Sequence, residues 1–135
     1  MANNRVLVVD DHAATRAVIR SILEAEKTAR FDIVEAASGT ECLKAVDRQG
    51  PFDLILLDVT MPDMDGYAVC RALRHVEKHV PIVFITAKTG LKDFTAGREA
   101  GADSYLVKPI SRAHLRSVVN LFTSIERKKA ESSRP

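Results

Sequence analysis

Residues 53 to 66 read Asp-Leu-Ile-Leu-Leu-Asp-Val-Thr-Met-Pro-Asp-Met-Asp-Gly, and they restrict the fold more than any other stretch. Leu54 to Leu57 show no alternation with polar residues, so a strand here must be covered on both faces, as in the middle of a parallel sheet. Asp58 follows without a break. A carboxylate at the carboxyl end of a central strand lies where open α/β sheets place their ligands. Pro62 stops the strand, and the Asp63, Asp65 and Gly66 cluster predicts a loop whose glycine can take positive φ before a helix. Asp58 is too far from that helix start to cap it, since a capping side chain reaches only two or three residues ahead.

The rest of the chain repeats the same strand-then-helix pattern. Arg5 to Val9 is a Val-rich strand that ends in Asp10 and Asp11. Val18, Ile19, Ile22 and Leu23 then recur at helical spacing from about Ala13 to Glu26. Phe31 to Ala36 is a shorter, more polar strand, suited to a sheet edge. Ser38 and Glu41 form a capping box for a helix through Leu43 and Val46 to about Gln49, which Gly50-Pro51 ends. After the central strand a helix from about Tyr67 to His75 turns Val69, Cys70 and Leu73 inward. Pro81 to Thr86 is another apolar strand, closing on a hydroxyl. The helix from about Lys92 to Ala100 contains Gly97, which costs about 1 kcal/mol relative to Ala and predicts the loosest helix of the set. Ser104 to Val107 is the last strand, followed by Lys108-Pro109. Ser111 caps a helix whose stripe is Leu115, Val118, Val119, Phe122 and Ile125. Five β-α units with right-handed crossovers predict an open, doubly wound parallel sheet with helices on both faces.

At 135 residues and 46% hydrophobic content the chain is the size of one domain. The reading is residues 1–125 as that domain and residues 126–135 as a charged tail or linker. Twenty Lys and Arg against eighteen Asp and Glu leave a net charge of +2, and the tail alone carries it. A neutral body offers no basic face for nucleic acid, so no direct nucleic-acid contact is expected. Cys42 and Cys70 form no C-x-x-C pair and read as core thiols. With neither a signal peptide nor a membrane span legible, a cytoplasmic protein is expected.

Asp10 with Asp11, Asp58, Thr86 and Lys108 stand at the ends of four strands, and in a parallel sheet those ends lie along one edge. Three carboxylates gathered there repel one another unless a cation sits among them, and an all-oxygen set with room for water suits Mg2+. A metal, a lysine and a hydroxyl are the groups that stabilise the oxygens of a phosphoryl in transfer. A carboxylate can act as the nucleophile and form an aspartyl phosphate. His12 invites a metal-ligand reading, but is taken as a solvent-facing residue at the helix start. Met61 and Met64 read as loop packing.

From residue 5 to about 125 the chain resembles a response-regulator receiver domain of two-component signalling. The resemblance rests on Val8-Val-Asp-Asp11, Leu57-Asp-Val-Thr-Met-Pro-Asp-Met-Asp-Gly66, Phe84-Ile-Thr-Ala87 and Gly101-Ala-Asp-Ser-Tyr-Leu-Val-Lys-Pro109. It implies an α/β fold of the flavodoxin-like (βα)5 kind, a doubly wound five-stranded parallel sheet of order 2-1-3-4-5. It also implies that Asp58 is the phosphoacceptor, that Asp11 ligates Mg2+ directly with Asp10 acting mainly through water, and that Asp58 and the Thr60 carbonyl complete the protein's share of the shell. Lys108 would contact the phosphoryl group from a cis Lys108-Pro109 bond. Thr86 and Tyr105 would be the switch pair, and Thr60 and Lys88 would tune hydrolysis of the acyl phosphate.

The expected function is therefore a phosphorylation-dependent signalling switch that takes a phosphoryl group from a histidine kinase or phosphotransfer protein. It would not be an enzyme beyond self-phosphorylation from a donor and autodephosphorylation. Its partner face, for a downstream protein, its own output domain or a homodimer, would run from about Leu91 to Ile125. Three other readings stand beside it. A Mg2+-dependent phosphohydrolase would want a second carboxylate where Thr60 stands. A flavin-binding domain would want a glycine- and hydroxyl-rich loop where Asp10-Asp11-His12 stands. The third is a receiver-fold binding module that works without phosphate.

Overall fold

The computed structural model describes residues 4–87 and 90–132, the last nine of these as backbone only. Five strands alternate with five helices: β1 Asn4–Val9, α1 Ala13–Glu24, β2 Phe31–Ala36, α2 Gly39–Gln49, β3 Leu54–Asp58, α3 Gly66–Val76, β4 Ile82–Thr86, α4 Leu91–Ala100, β5 Ser104–Val107 and α5 Arg112–Ser132. All neighbouring strands pair in parallel, in the order β2-β1-β3-β4-β5. The expected fold class and strand order are both found.

The unbroken apolar runs now have a structural cause. In β3, Ile55 and Leu57 join one buried cluster with α2 and α3, while Leu54 and Leu56 join another with α1 and α5. β1 divides the same way, Leu7 and Val9 on one side, Val6 and Val8 on the other. Successive side chains point to opposite faces, so a strand covered twice needs apolar residues at every position. β2, at the sheet edge, is only partly buried, as its polarity predicts.

Val18, assigned to the inner stripe of α1, is 48% exposed, because the buried seam is narrower: Ile19, Ile22 and Leu23. The Ser38 capping box is half formed. Its hydroxyl accepts from the Glu41 amide at 3.1 Å, but the Glu41 carboxylate sits 3.5 Å from that hydroxyl instead of reaching the Ser38 amide. Leu115, Val118 and Val119 of the α5 stripe are buried. The Ile125 side chain lies outside the described residues. Among the described residues no helix is long and apolar enough to cross a membrane.

Candidate functional site

Register brings the site together. Val9 pairs with Leu57, so Asp10 and Asp58 leave adjacent strands side by side. Asp58 pairs with Ile85, which places Thr86 one step further on β4. Thr86 pairs with Val107, and the Lys108 amide donates to the Thr86 carbonyl at 2.8 Å. Four groups distant in sequence thus share one edge of the sheet, as the sequence predicts.

Asp10 and Asp58 are buried, while Asp11 and Lys108 reach solvent. Lys108 Nζ stands 2.9 Å from Asp10 Oδ2 and 3.6 Å from Asp58 Oδ2, bridging the two carboxylates. Burial pulls the Lys108 ammonium down, but its hydrogen bond to Asp10 and the charges of Asp58 and Asp10 outweigh that and raise it. Asp58 is pushed up to about 6, first by burial and then by the charge of Asp10, with Lys108 and the Thr60 amide opposing. The Thr60 N–H donates to Asp58 Oδ1 at 3.3 Å. A pocket lined by Asp11, His12, Asp58, Thr60, Met61, Ala87 and Lys108 opens above.

The donors fit a hard divalent cation. Asp10, Asp11, His12 and Asp58 each present an atom that lies within 4.8 Å of the others. Asp10, Asp11 and Asp58 set three carboxylates against the ammonium of Lys108, which stands 2.9 Å from Asp10 Oδ2. Carboxylates gathered in excess of their cationic partners repel one another, and a cation among them removes that cost. Mg2+ takes oxygen ligands and keeps several waters, which an open, carboxylate-rich pocket allows.

The loop after β3 is braced by two residues whose purpose sequence reasoning missed or misjudged. Gly66 is not at positive φ; Gly101, ending α4 at φ 106, is the glycine with that conformation among the described residues. Gly66 is needed for proximity: a Cβ there would lie 2.3 Å from the Asp58 carbonyl oxygen and 2.7 Å from Val59 Cα. Asp65 caps α3, accepting from the Ala68 amide at 2.8 Å. Asp63 reaches away to the start of α2, where its carboxylate accepts from the Gly39 and Thr40 amides at 3.1 and 3.0 Å and from the Thr40 hydroxyl at 2.9 Å. Those amide bonds hold the Asp63 carboxyl down at about 2. Its partners are more than twenty positions away, so no local motif could have indicated them.

Thr86 is buried beside Asp58's strand. Tyr105 is turned inward, its hydroxyl donating to the Phe94 carbonyl at 2.5 Å, with its ring packed on Phe94 and Phe84. Lys108-Pro109 is cis, as the resemblance implies, and so is Gly50-Pro51. Lys88 lies outside the described residues. Met61 is buried in the core and Met64 packs against it, as the loop-packing reading requires. His12 is exposed, as expected, yet its ring nitrogen Nδ1 lies 3.2 Å from both Asp10 Oδ1 and Asp11 Oδ1. It belongs to the site, which its place in sequence beside Asp11 already hinted.

Comparison with known proteins agrees with this geometry. The model of the response regulator receiver domain matches residues 6–120. The DNA-binding response regulator MtrA of Mycobacterium tuberculosis is 43% identical over 111 residues, covering 82% of this chain and 46% of its own length. The probable transcriptional regulator ycf27 of Porphyridium aerugineum is 40% identical over 123 residues, covering 88% of this chain and 49% of its own. The chain thus spans about half the length of these curated relatives. Relatives named DNA-binding regulators leave the expected absence of nucleic-acid contact without support. Among solved structures, chemotaxis protein CheY4 of Vibrio cholerae matches with TM-score 0.82 and 30% identity, covering 90% of this chain and 99% of that one. A CheY-like receiver domain protein from Methanospirillum hungatei JF-1 matches with TM-score 0.84 and 26% identity, over 95% and 99% of the two chains. The chain belongs to the response-regulator receiver domains of two-component signalling, the domain of phosphorylation-dependent signalling switches.

Proposed function

We propose that Asp58 is the phosphoacceptor of this receiver and that the phosphoryl group arrives from a phosphohistidine donor. The observation that carries this reading is Lys108 Nζ bridging Asp10 and Asp58 at 2.9 and 3.6 Å beneath an open pocket. An Asp58 oxygen attacks phosphorus as the P–N bond of the donor breaks, and the leaving imidazole nitrogen keeps the bonding pair and takes a proton from water. Lys108 and the Thr60 N–H lie where they can pair with phosphoryl oxygens. Asp10, Asp11, Asp58 and the Thr60 carbonyl would hold Mg2+, which when bound neutralises charge on the phosphoryl oxygens. Thr86 and Tyr105 act as the switch pair, Thr60 and Lys88 tune return of the phosphoryl group to water, and this autodephosphorylation is the only turnover. Thr60 offers Asp58 a backbone amide and no second carboxylate, which speaks against a phosphohydrolase acting on external substrates.

The donor would approach over α1, where Val18 is exposed in a groove with Ala14, Thr15, Lys108, Pro109 and Ile110. Output would use the face from Leu91 to Ile125, where Leu91, Val107 and Leu121 are exposed on α4, β5 and α5. That face would receive a downstream protein, an output unit or a second copy. The receiver unit would end near residue 125 with residues 126–135 as tail, in a cytoplasmic setting. The test is transfer from a phosphorylated histidine phosphotransfer protein, with oligomeric state followed by light scattering. Transfer to the wild type and none to Asp58→Asn is expected; equal transfer to both overturns the assignment.

A further inference from the structure

We propose that His12 supplies an imidazole nitrogen to the cation site, biasing it toward imidazole-accepting divalent ions such as Ni2+ relative to an all-oxygen set. The inference rests on the reading of Asp10, Asp11 and Asp58 as a cation site.

Three observations carry it. First, His12 is the N-cap residue of α1, yet its side chain makes no capping hydrogen bond. Its extended backbone would allow Ser, Asp or Asn to cap there, and the helix forgoes that contribution. Second, the ring is turned back over the sheet edge, with Nδ1 3.2 Å from Asp10 Oδ1 and from Asp11 Oδ1. The His12 amide also donates to Asp10 Oδ1 at 2.8 Å, which fixes where the ring starts. Third, Asp10 is fully buried and, with Asp11 and Asp58, sets three carboxylates against the ammonium of Lys108, 2.9 Å from Asp10 Oδ2, so the cluster keeps negative charge for a cation. In an octahedral shell of ligands at about 2.1 Å, neighbouring donors lie about 3 Å apart and opposite ones about 4.2 Å. The four side chains, with atoms all within 4.8 Å of one another, are slightly wider than that shell and need draw in by only about half an ångström to close on an ion.

The consequence is selectivity. Mg2+ prefers oxygen and gains little from imidazole, whereas affinity for nitrogen donors rises from Mn2+ to Ni2+. Removing His12 should therefore separate the ions. His75, His79 and His114 are exposed and could bind Ni2+ independently, so the test uses the full chain with those three replaced by Gln. Calorimetric titration with MgCl2 and NiCl2 compares His12 with His12→Asn, which removes the imidazole and suits the N-cap position. The Ni2+ dissociation constant should rise roughly tenfold or more and the Mg2+ constant by less than about twofold. Pulsed electron paramagnetic resonance of the Mn2+-loaded protein should show nitrogen-14 coupling in the parent and none in His12→Asn, a readout that a merely structural role would not move. Equal weakening of both ions, unchanged Ni2+ binding, or no nitrogen coupling overturns the role of His12 while leaving the cation site intact. Failure of every divalent ion to bind the parent overturns both.

Discussion

The hydroxyl of Tyr105 occupies the space in which a side chain on Gly97 would begin: a Cβ at Gly97 would lie 1.8 Å from that oxygen. Gly97 is buried in α4, and its carbonyl accepts from the Ala102 amide at 3.0 Å where the helix ends at Gly101. The glycine that sequence reasoning treated as a loosening of α4 is thus the condition for Tyr105 to lie inward.

Gly97→Ala should consequently reverse its usual sign. In a helix interior that change gains about 1 kcal/mol. Here it should displace the tyrosine from the Phe94 carbonyl and produce no gain in denaturant stability. In a Tyr105→Ala background the gain should return, giving a coupling of about 1 kcal/mol or more in the double-mutant cycle. Additive effects would show that the two residues do not compete for space.

Asp58→Asn should stabilise the metal-free protein. The Asp58 carboxyl titrates at about 6 in the fold against 3.8 ordinarily, so the folded state binds the extra proton between those values. Its charged form penalises folding fully above pH 6, and the penalty fades as pH falls through 6 toward 3.8. In chelator at pH 7.5 the variant should gain on the order of 1–2 kcal/mol, less than the full shift implies because the carboxyl opens onto a wet pocket. Below pH 4 the gain should vanish. Mg2+ should stabilise the wild type by mass action and the variant much less. Thermal melts across pH, with and without the ion, measure each arm.

Asp63 should behave in the opposite sense. Its carboxyl is held at about 2 by the Gly39 and Thr40 amides, against 3.8 ordinarily. Its contribution is present above 3.8 and is lost as pH falls through 2. Asp63→Ala should speed hydrogen exchange at the Gly39 and Thr40 amides while leaving exchange in β1 and β3 unchanged. Unaltered exchange at those amides would mean that the link between the loop and α2 is not formed in solution.

Gly66→Ala should cost about 2 kcal/mol or more, since the new methyl group meets the backbone of Asp58 and Val59, which cannot rotate away. Because that backbone precedes Thr60, Mg2+ affinity should fall too. Wild-type stability and Mg2+ affinity in the variant, measured by urea titration and calorimetry, would contradict this account of the loop.

Much of this was legible because local pattern and topology coincide. The uninterrupted runs of β1, β3 and β4 could be satisfied only by a sheet covered on both faces, and parallel register then placed Asp10, Asp58, Thr86 and Lys108 together without further information. What could not be read depends on the third dimension. Asp63 acts across 24 positions on Gly39, Gly66 answers to a backbone eight residues earlier, and Gly97 to a ring eight residues later. Proximity without periodicity leaves no trace in a single sequence. The His12 ring is exposed at the helix start as expected, and its closeness to Asp10 and Asp11 shows that exposure and a place at the rim of the pocket are compatible.

The central claim is that Asp58 takes the phosphoryl group. Protein treated with acetyl phosphate and Mg2+ can be reduced with borohydride, which converts an aspartyl phosphate to homoserine, and then digested and sequenced by mass spectrometry. The account predicts homoserine at position 58, absent when Mg2+ is chelated. Homoserine at another aspartate, or none despite bound Mg2+ and folded protein, would contradict it.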